Sequence, residues 1–90
     1  MIINPRYPRK AAEEGLEGWV KFQFNIDSNG HPYEVALIDA EPRRVFERDA
    51  RRAIYQWKFD PNGQREDLIY TMEFKLADDS EKVKVLNSNN

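Results

Sequence analysis

The chain has 90 residues, of which 40% are apolar and 33% charged, and its 14 basic and 16 acidic side chains give a formal net charge of -2. This balance argues against a broad basic surface for nucleic acid, and the lack of cysteine excludes a disulfide framework and a cysteine metal site. A chain of this length suffices for one compact core, so we expect residues 1–90 to form a single domain.

The first predicted elements are an extended entry arm, residues 1–7, and a short helix over residues 8–14. Pro5 and Pro8 push the residues before them toward extended conformations, and proline is tolerated in the first turn of a helix. Gly15 is expected to end the helix. Basic residues stand at its start and acidic ones at its end, against the helix dipole, so tertiary contacts must hold it.

Alternating apolar residues predict two strands joined by a hairpin turn. In residues 18–27 every second side chain is apolar, which places these side chains on one face. Residues 28–30, Ser-Asn-Gly, are typical of a turn with positive φ. A second strand over 33–39 is expected to return antiparallel, with Val35 and Leu37 toward the core.

The apolar period changes to that of a helix after Pro42. This helix is predicted to begin near Arg43 or Arg44 and to bury one stripe of apolar side chains. Its arginines are interpreted as a solvated face with side-chain pairs, among them Glu47 with Arg51.

Apolar side chains again occupy every second position in the last long predicted strand, about residues 67–76. Its inward side chains are predicted to be Leu68, Tyr70, Met72, Phe74 and Leu76, and its outward ones Ile69, Thr71, Glu73 and Lys75. The tail, residues 77–90, is ambiguous. Residues 82–85 alternate weakly, which favours a short fourth strand, whereas residues 87–90 are typical of a frayed end.

These elements predict an α+β fold in the order α-β-β-α-β: a three-stranded antiparallel sheet with two helices on one face, with a short extra C-terminal strand as an open alternative.

The last long strand of this predicted sheet lies beside the first and forms a sheet edge with unpaired backbone groups. Such an edge is either blunted or used to accept an extended peptide. Roughly four to six added hydrogen bonds at ~0.5–1.5 kcal/mol each barely exceed the entropy of ordering the peptide. Binding there would be weak to moderate.

Catalysis and metal chemistry have little support in the sequence. His31 is the only histidine and lies in the predicted turn, and no serine stands in a recognisable nucleophile elbow. Carboxylate pairs such as Glu13-Glu14, Glu66-Asp67 and Asp78-Asp79 lie in polar stretches, without the apolar burial that raises a pKa for acid–base work. We therefore predict neither an enzyme nor a bound cofactor or metal.

A series of different short motifs occurs in a definite order from Asn4 to about Leu76. They are Pro5-x-Tyr7-Pro8, Glu17-Gly18-x-Val20-x-Phe22-x-Phe24-x-Ile26-Asp27, Asn29-Gly30, Val35-Ala-Leu-Ile38, Ala40-x-Pro42, Phe46-Glu47-Arg48-x-Ala50, Ala53 and Trp57-Lys58-Phe59-x-Pro61. Each motif is weak alone, but their order and spacing are specific. In this respect the chain resembles the C-terminal domain of TonB-family energy transducers.

The resemblance implies a periplasmic domain, anchored in the inner membrane by an N-terminal region outside this chain that couples to the proton-driven motor proteins ExbB and ExbD. It implies capture of the TonB box, an extended segment of outer-membrane transporters for siderophore iron, haem or vitamin B12. By resemblance, the edge strand would contribute Leu68, Ile69, Tyr70, Thr71, Met72, Glu73 and Phe74. The entry segment that contacts the transporter would be Pro5, Arg6, Tyr7, Pro8 and Lys10.

The chain also departs from the family pattern. Asn4 and Arg6 stand where glutamines are frequent, and the tail carries an extra segment, 82–86, that would either cap the edge or exchange into a second copy to form a homodimer. The alternative function is a structural or peptidoglycan-associated envelope module similar to TolA. In that case the tail or another copy satisfies the edge.

Overall fold

The computed structural model describes residues 1–78 and 80–89; Asp79 and Asn90, both in the predicted tail, lie outside the described residues. The elements in chain order are α1 (Arg9–Glu13), β1 (Gly18–Ile26), β2 (Pro32–Glu41), α2 (Glu47–Ile54), β3 (Leu68–Ala77) and β4 (Ser80–Asn87). The strands form one antiparallel sheet in the order β2-β1-β3-β4. The predicted α+β fold is confirmed, and the extra C-terminal strand is eight residues long.

Both helices contribute to a hydrophobic core on one face of the sheet. The alternating side chains of β1 and β3 meet Ala11 of α1 and Ala50 and Ile54 of α2 in a single buried cluster. Aromatic rings fill its middle: Phe46 stacks on Phe74 with 4.3 Å between ring centroids. The sequence periodicity therefore identified the core face correctly.

The second helix begins later than predicted. Arg44 has a φ of 66°, in the left-handed region, and a right-handed helix cannot propagate through that conformation. Its backbone N–H donates to the Glu47 carboxylate at 2.9 Å, which fixes the turn before α2. The predicted start near Arg43 or Arg44 is wrong because this turn separates Pro42 from the helix.

The predicted pair of Glu47 with Arg51 is not formed among the described side chains. The Arg51 guanidinium instead donates to the Val35 carbonyl of β2 and lies over the Phe22 ring, 5.0 Å from its centroid. Arg51 thus joins α2 to the sheet. Neither helix in the described ranges has the length and apolar character needed to cross a bilayer.

Candidate partner-binding edge

The seven predicted edge residues on β3 divide into two sets. Leu68, Tyr70, Met72 and Phe74 are buried in the core. Ile69, Thr71 and Glu73 are partly exposed on the opposite face. A partner that lies beside β3 would therefore meet backbone groups and the outer side chains, since the inner side chains are already packed.

The directions of the β3 backbone groups follow from one hydrogen bond. The Ser88 N–H donates to the Ile69 carbonyl at 2.7 Å, and hydrogen-bonded pairs alternate along an antiparallel ladder. The N–H and C=O groups of Ile69, Thr71 and Glu73 therefore point toward β4, and those of the buried residues point toward β1. Leu76, which lies beyond the end of β1, donates its N–H to the Glu17 carboxylate at 2.7 Å.

The edge of β3 is not vacant. β4 pairs with β3 along its whole length, from Asn87 opposite Tyr70 to Ser80 opposite Ala77. The prediction of an open β3 edge is therefore wrong for this structure. The short connection between the two strands makes closure entropically inexpensive, and Val83 and Val85 of β4 pack against the core.

β2 and β4 are consequently the two edges of the sheet, and β2 is blunted. Its ladder with β1 shifts register twice, the Val35 carbonyl accepts from Arg51, and the Ala40 N–H donates to the Asp39 carboxylate at 2.8 Å. Bulges and capping side chains of this kind hinder the addition of another strand.

The outer edge of β4 is straighter. By the alternation of the ladder, the backbone groups of Glu81, Val83, Val85 and Asn87 point away from β3. The Asn4 side chain donates to the Val83 carbonyl at 3.3 Å and covers one of these acceptors. The side of the sheet formed by β3 and β4 is therefore the more accessible to an extended segment.

The predicted entry segment is partly structural. Pro5 and Tyr7 are buried, Pro8 is half-buried, and only Arg6 and Lys10 are exposed. The Tyr7 hydroxyl donates to the Leu16 carbonyl. Burial, and then the Glu17 and Glu81 carboxylates, raise the pKa of Tyr7.

The entry arm crosses the molecule from the segment that follows α2 to β4. Met1 and Lys58 exchange backbone hydrogen bonds, the Trp57 indole binds the Ile3 carbonyl, and Asn4 reaches β4. The arm is therefore held at both ends. This path brings Arg6 close to the candidate edge, and Arg6 and Glu81 line the same cleft.

Several of these contacts carry no periodic signal in the sequence. Asn4, Glu17 and Arg51 act through single side chains on distant backbone groups, and only the structure brings these partners together. Within residues 1–78 and 80–89, no group of three or more histidine, aspartate or glutamate side chains is placed to hold a metal ion.

Comparison with known proteins gives the family. The family model for the Gram-negative bacterial TonB protein C-terminal matches residues 3–76. Protein TonB of Yersinia enterocolitica is 36% identical over 78 residues, which are 87% of this chain and 30% of that protein. Protein TonB of Pseudomonas aeruginosa is 40% identical over 57 residues, 63% of this chain and 17% of that protein. The chain thus spans less than a third of these relatives.

Solved structures agree with this assignment. The structure of the TonB2 protein from Vibrio anguillarum aligns with a TM-score of 0.70 and 36% identity, and covers 82% of this chain and 76% of that chain. The solution NMR structure of the Pseudomonas aeruginosa TonB CTD aligns with a TM-score of 0.66 and 27% identity, over 100% of this chain and 84% of that chain. The chain therefore belongs to the Gram-negative bacterial TonB protein C-terminal family.

Proposed function

We propose that this domain is a periplasmic energy-transducing adaptor that binds the TonB box of outer-membrane transporters by strand addition to β3, and that the incoming segment takes the place of β4. The observation that carries this proposal is the shallow attachment of β4. None of its eight residues is buried, whereas β3 contributes four buried side chains to the core. β3 is built to remain in the sheet when β4 leaves.

An exchanged strand would find its contacts already arranged. The backbone groups of Ile69, Thr71 and Glu73 would bond to it as they now bond to β4. Small apolar side chains at the positions of Val83 and Val85 would restore the packing against the core. Because new hydrogen bonds replace existing ones, the net gain is small and the complex is weak enough to be released.

The exposed side chains of the entry segment, Arg6 and Lys10, supply a second contact for acidic groups of the transporter. Pro5, Tyr7 and Pro8 contribute by holding the arm in place. Pulling along the axis of an added strand loads several backbone hydrogen bonds at once, which suits an adaptor that bears tension briefly. An N-terminal region outside this chain would anchor the protein in the inner membrane and couple it to the motor proteins ExbB and ExbD. An adaptor of this kind is not an enzyme.

A titration of the isotopically labelled chain with a synthetic TonB-box peptide tests the proposal. We expect chemical-shift changes at the Thr71 and Glu73 amides, with the β4 amides moving toward the shifts of a released strand. A scrambled peptide of the same composition is the control. Changes confined to the hairpin, residues 26–35, would rule the proposal out.

The second candidate is a TolA-like structural module of the cell envelope, and the pairing of β4 with β3 favours it, because the tail already satisfies that edge. A strand-exchanged dimer is the form it would take. Sedimentation at several concentrations, with and without residues 77–90, separates the two candidates. Dimerisation that requires the tail, together with no shift on peptide addition, would favour the structural module.

A further inference from the structure

The tail does not fray after β4. The side-chain amide of Asn89 imitates a peptide group: its oxygen accepts the Ile69 N–H and its nitrogen donates to the Asp67 carbonyl, each at 2.8 Å. These two bonds continue the ladder beyond the last pair of backbone residues. The prediction of a frayed end is therefore wrong for Asn87, Ser88 and Asn89.

Two neighbouring residues strengthen this contact. The Ser88 N–H donates to the Ile69 carbonyl, and its hydroxyl lies 2.7 Å from the Thr71 hydroxyl. The Asn87 side-chain oxygen accepts the Asn89 N–H at 2.9 Å, which orients the Asn89 amide toward β3. We call residues 87–89 the tail latch.

The latch fastens to a fixed point of the sheet. The Asp67 carboxylate accepts from Gln23 at 2.9 Å, and the Asp67 N–H donates to the Asn25 side chain at 2.9 Å, so β1 holds Asp67 from two sides. Gln64 also donates to the Asp67 carbonyl at 3.4 Å. Asp67 is therefore held by contacts that do not involve the tail.

The position of the latch matters more than its number of bonds. β4 is joined to β3 by a short connection at one end, so it can separate only by opening from the other end, where the latch lies. Near the connection, Lys82 lies directly opposite Lys75, and like charges opposite one another destabilise a strand pair. The Lys75–Lys82 pair thus weakens the attachment of β4 near the connection, and the latch holds the end that must open first.

We propose that the tail latch controls how often β4 leaves β3, and thereby regulates access of an extended partner segment to β3. How often β4 leaves β3 is a property of this chain alone, whereas the control of partner access rests on the proposed function. Asn89 is the central residue, because among residues 1–78 and 80–89 only its side-chain amide bonds to both Ile69 and Asp67.

Amide hydrogen exchange of the full chain tests whether the latch controls how often β4 leaves β3. In Asn89→Ala we expect the Thr71 and Glu73 amides, which face β4 and do not bond to Asn89, to exchange about ten to thirty times faster, since two hydrogen bonds are lost at the opening end. The increase should diminish toward Lys75. Asn29→Ala, in the distant hairpin turn, is the matched control and should exchange like the parent chain, and Ser88→Ala should give a smaller increase than Asn89→Ala. Unchanged rates, or an equal increase at Tyr70 and Met72, would overturn the latch.

Binding of the TonB-box peptide to the same variants tests whether the latch regulates access of a partner segment to β3. A more frequently open β4 should strengthen the apparent affinity by about the same factor as the exchange increases. Faster exchange with unchanged affinity would overturn control of access. Faster exchange with no peptide binding to any variant would contradict the proposed function and leave the latch supported.

Discussion

The indole N–H of Trp57 donates a hydrogen bond to the Ile3 carbonyl at 2.7 Å, which fastens the entry arm to the segment that follows α2. Trp57 is 1% exposed and packs edge-on against Phe24 and Tyr70. The same side chain therefore fixes the arm and closes the core beneath β3. The position of the entry segment relative to the candidate edge is a consequence of core packing.

Trp57→Phe should loosen the arm and destabilise the domain. The variant loses a buried donor and leaves a small cavity, so we expect a loss of about 1 to 3 kcal/mol in the free energy of unfolding. Chemical denaturation measures this loss. Tyr55→Phe is the control, because Tyr55 is 54% exposed and its change should stay within about 0.5 kcal/mol. Equal stability of the two variants would contradict the role given to Trp57.

Gly18→Ala should be strongly destabilising. A Cβ at this position would lie 2.2 Å from the Glu41 carbonyl oxygen and 2.7 Å from Pro42, so the backbone of β2 would have to move. We expect a loss of about 2 kcal/mol or more. Gly63→Ala is the matched control, since its Cβ would lie 3.9 Å from the nearest neighbouring atom, the Asp60 carbonyl oxygen. Thermal unfolding of both variants checks the difference, and a Gly18→Ala chain as stable as the parent would show that the contact is not constraining.

The sequence could predict the core but not the pairing of the sheet edge. Alternation determines which face a side chain occupies, and the buried residues of β1 and β3 lie where the period places them. It carries no information on which backbone edge has a neighbour. β4 combines exposed lysines with only half-buried valines, so its pattern is too weak to distinguish a paired strand from a loose tail.

The remaining differences arise from single side chains and single backbone angles. The left-handed conformation of Arg44 delays α2, and nothing in the spacing of apolar residues reveals it. The Asn89 amide bonds to residues that lie 20 and 22 positions earlier. Contacts of this kind depend on the finished sheet, so a local pattern cannot predict them.

Asp27→Asn should change the acid sensitivity of the hairpin turn. The backbone N–H groups of His31 and then Asn29 bond to the Asp27 carboxylate and hold its pKa below the ordinary value of 3.8. A lowered pKa stabilises the folded chain above pH 3.8, and this stabilisation is lost as the pH falls through the folded-state value. The difference in stability between Asp27→Asn and the parent should thus be present at pH 7 and shrink as the pH falls below 3.8.

Denaturation at a series of pH values measures this effect. Asn29→Ala is the control, because it retains the Asp27 carboxylate and its two backbone donors and should follow the pH dependence of the parent. A constant difference between Asp27→Asn and the parent across the acid range would show that the carboxylate charge has no part in holding the turn.

Thr71→Pro should abolish binding of an extended partner while the helices remain folded. The Thr71 N–H points toward β4, and proline removes this donor and distorts the strand. Circular dichroism should retain its helical signal, and peptide binding should be lost. Thr71→Ala keeps the N–H and should bind within a few-fold of the parent. Equal binding by both variants would mean that this stretch of β3 is not the contact.

A reversible disulfide between β3 and β4 tests whether a partner segment must replace β4. Glu73 and Lys84 are paired across β3 and β4 on the face opposite the core. Hydrogen-bonded antiparallel pairs have Cα atoms about 5.5 Å apart, which a disulfide can span. Because the chain has no cysteine, Glu73→Cys with Lys84→Cys would give a single defined bridge. Lys21→Cys with Asp39→Cys is the matched control, since it links β1 to β2, away from the proposed exchange.

The most direct measurement is the affinity of the TonB-box peptide for the Glu73→Cys, Lys84→Cys chain before and after reduction. Displacement of β4 predicts that the oxidised chain does not bind, that reduction restores binding, and that the control pair binds equally in both states. Equal affinity of the oxidised and reduced forms would contradict the account, because a partner would then bind while β4 remains fixed to β3.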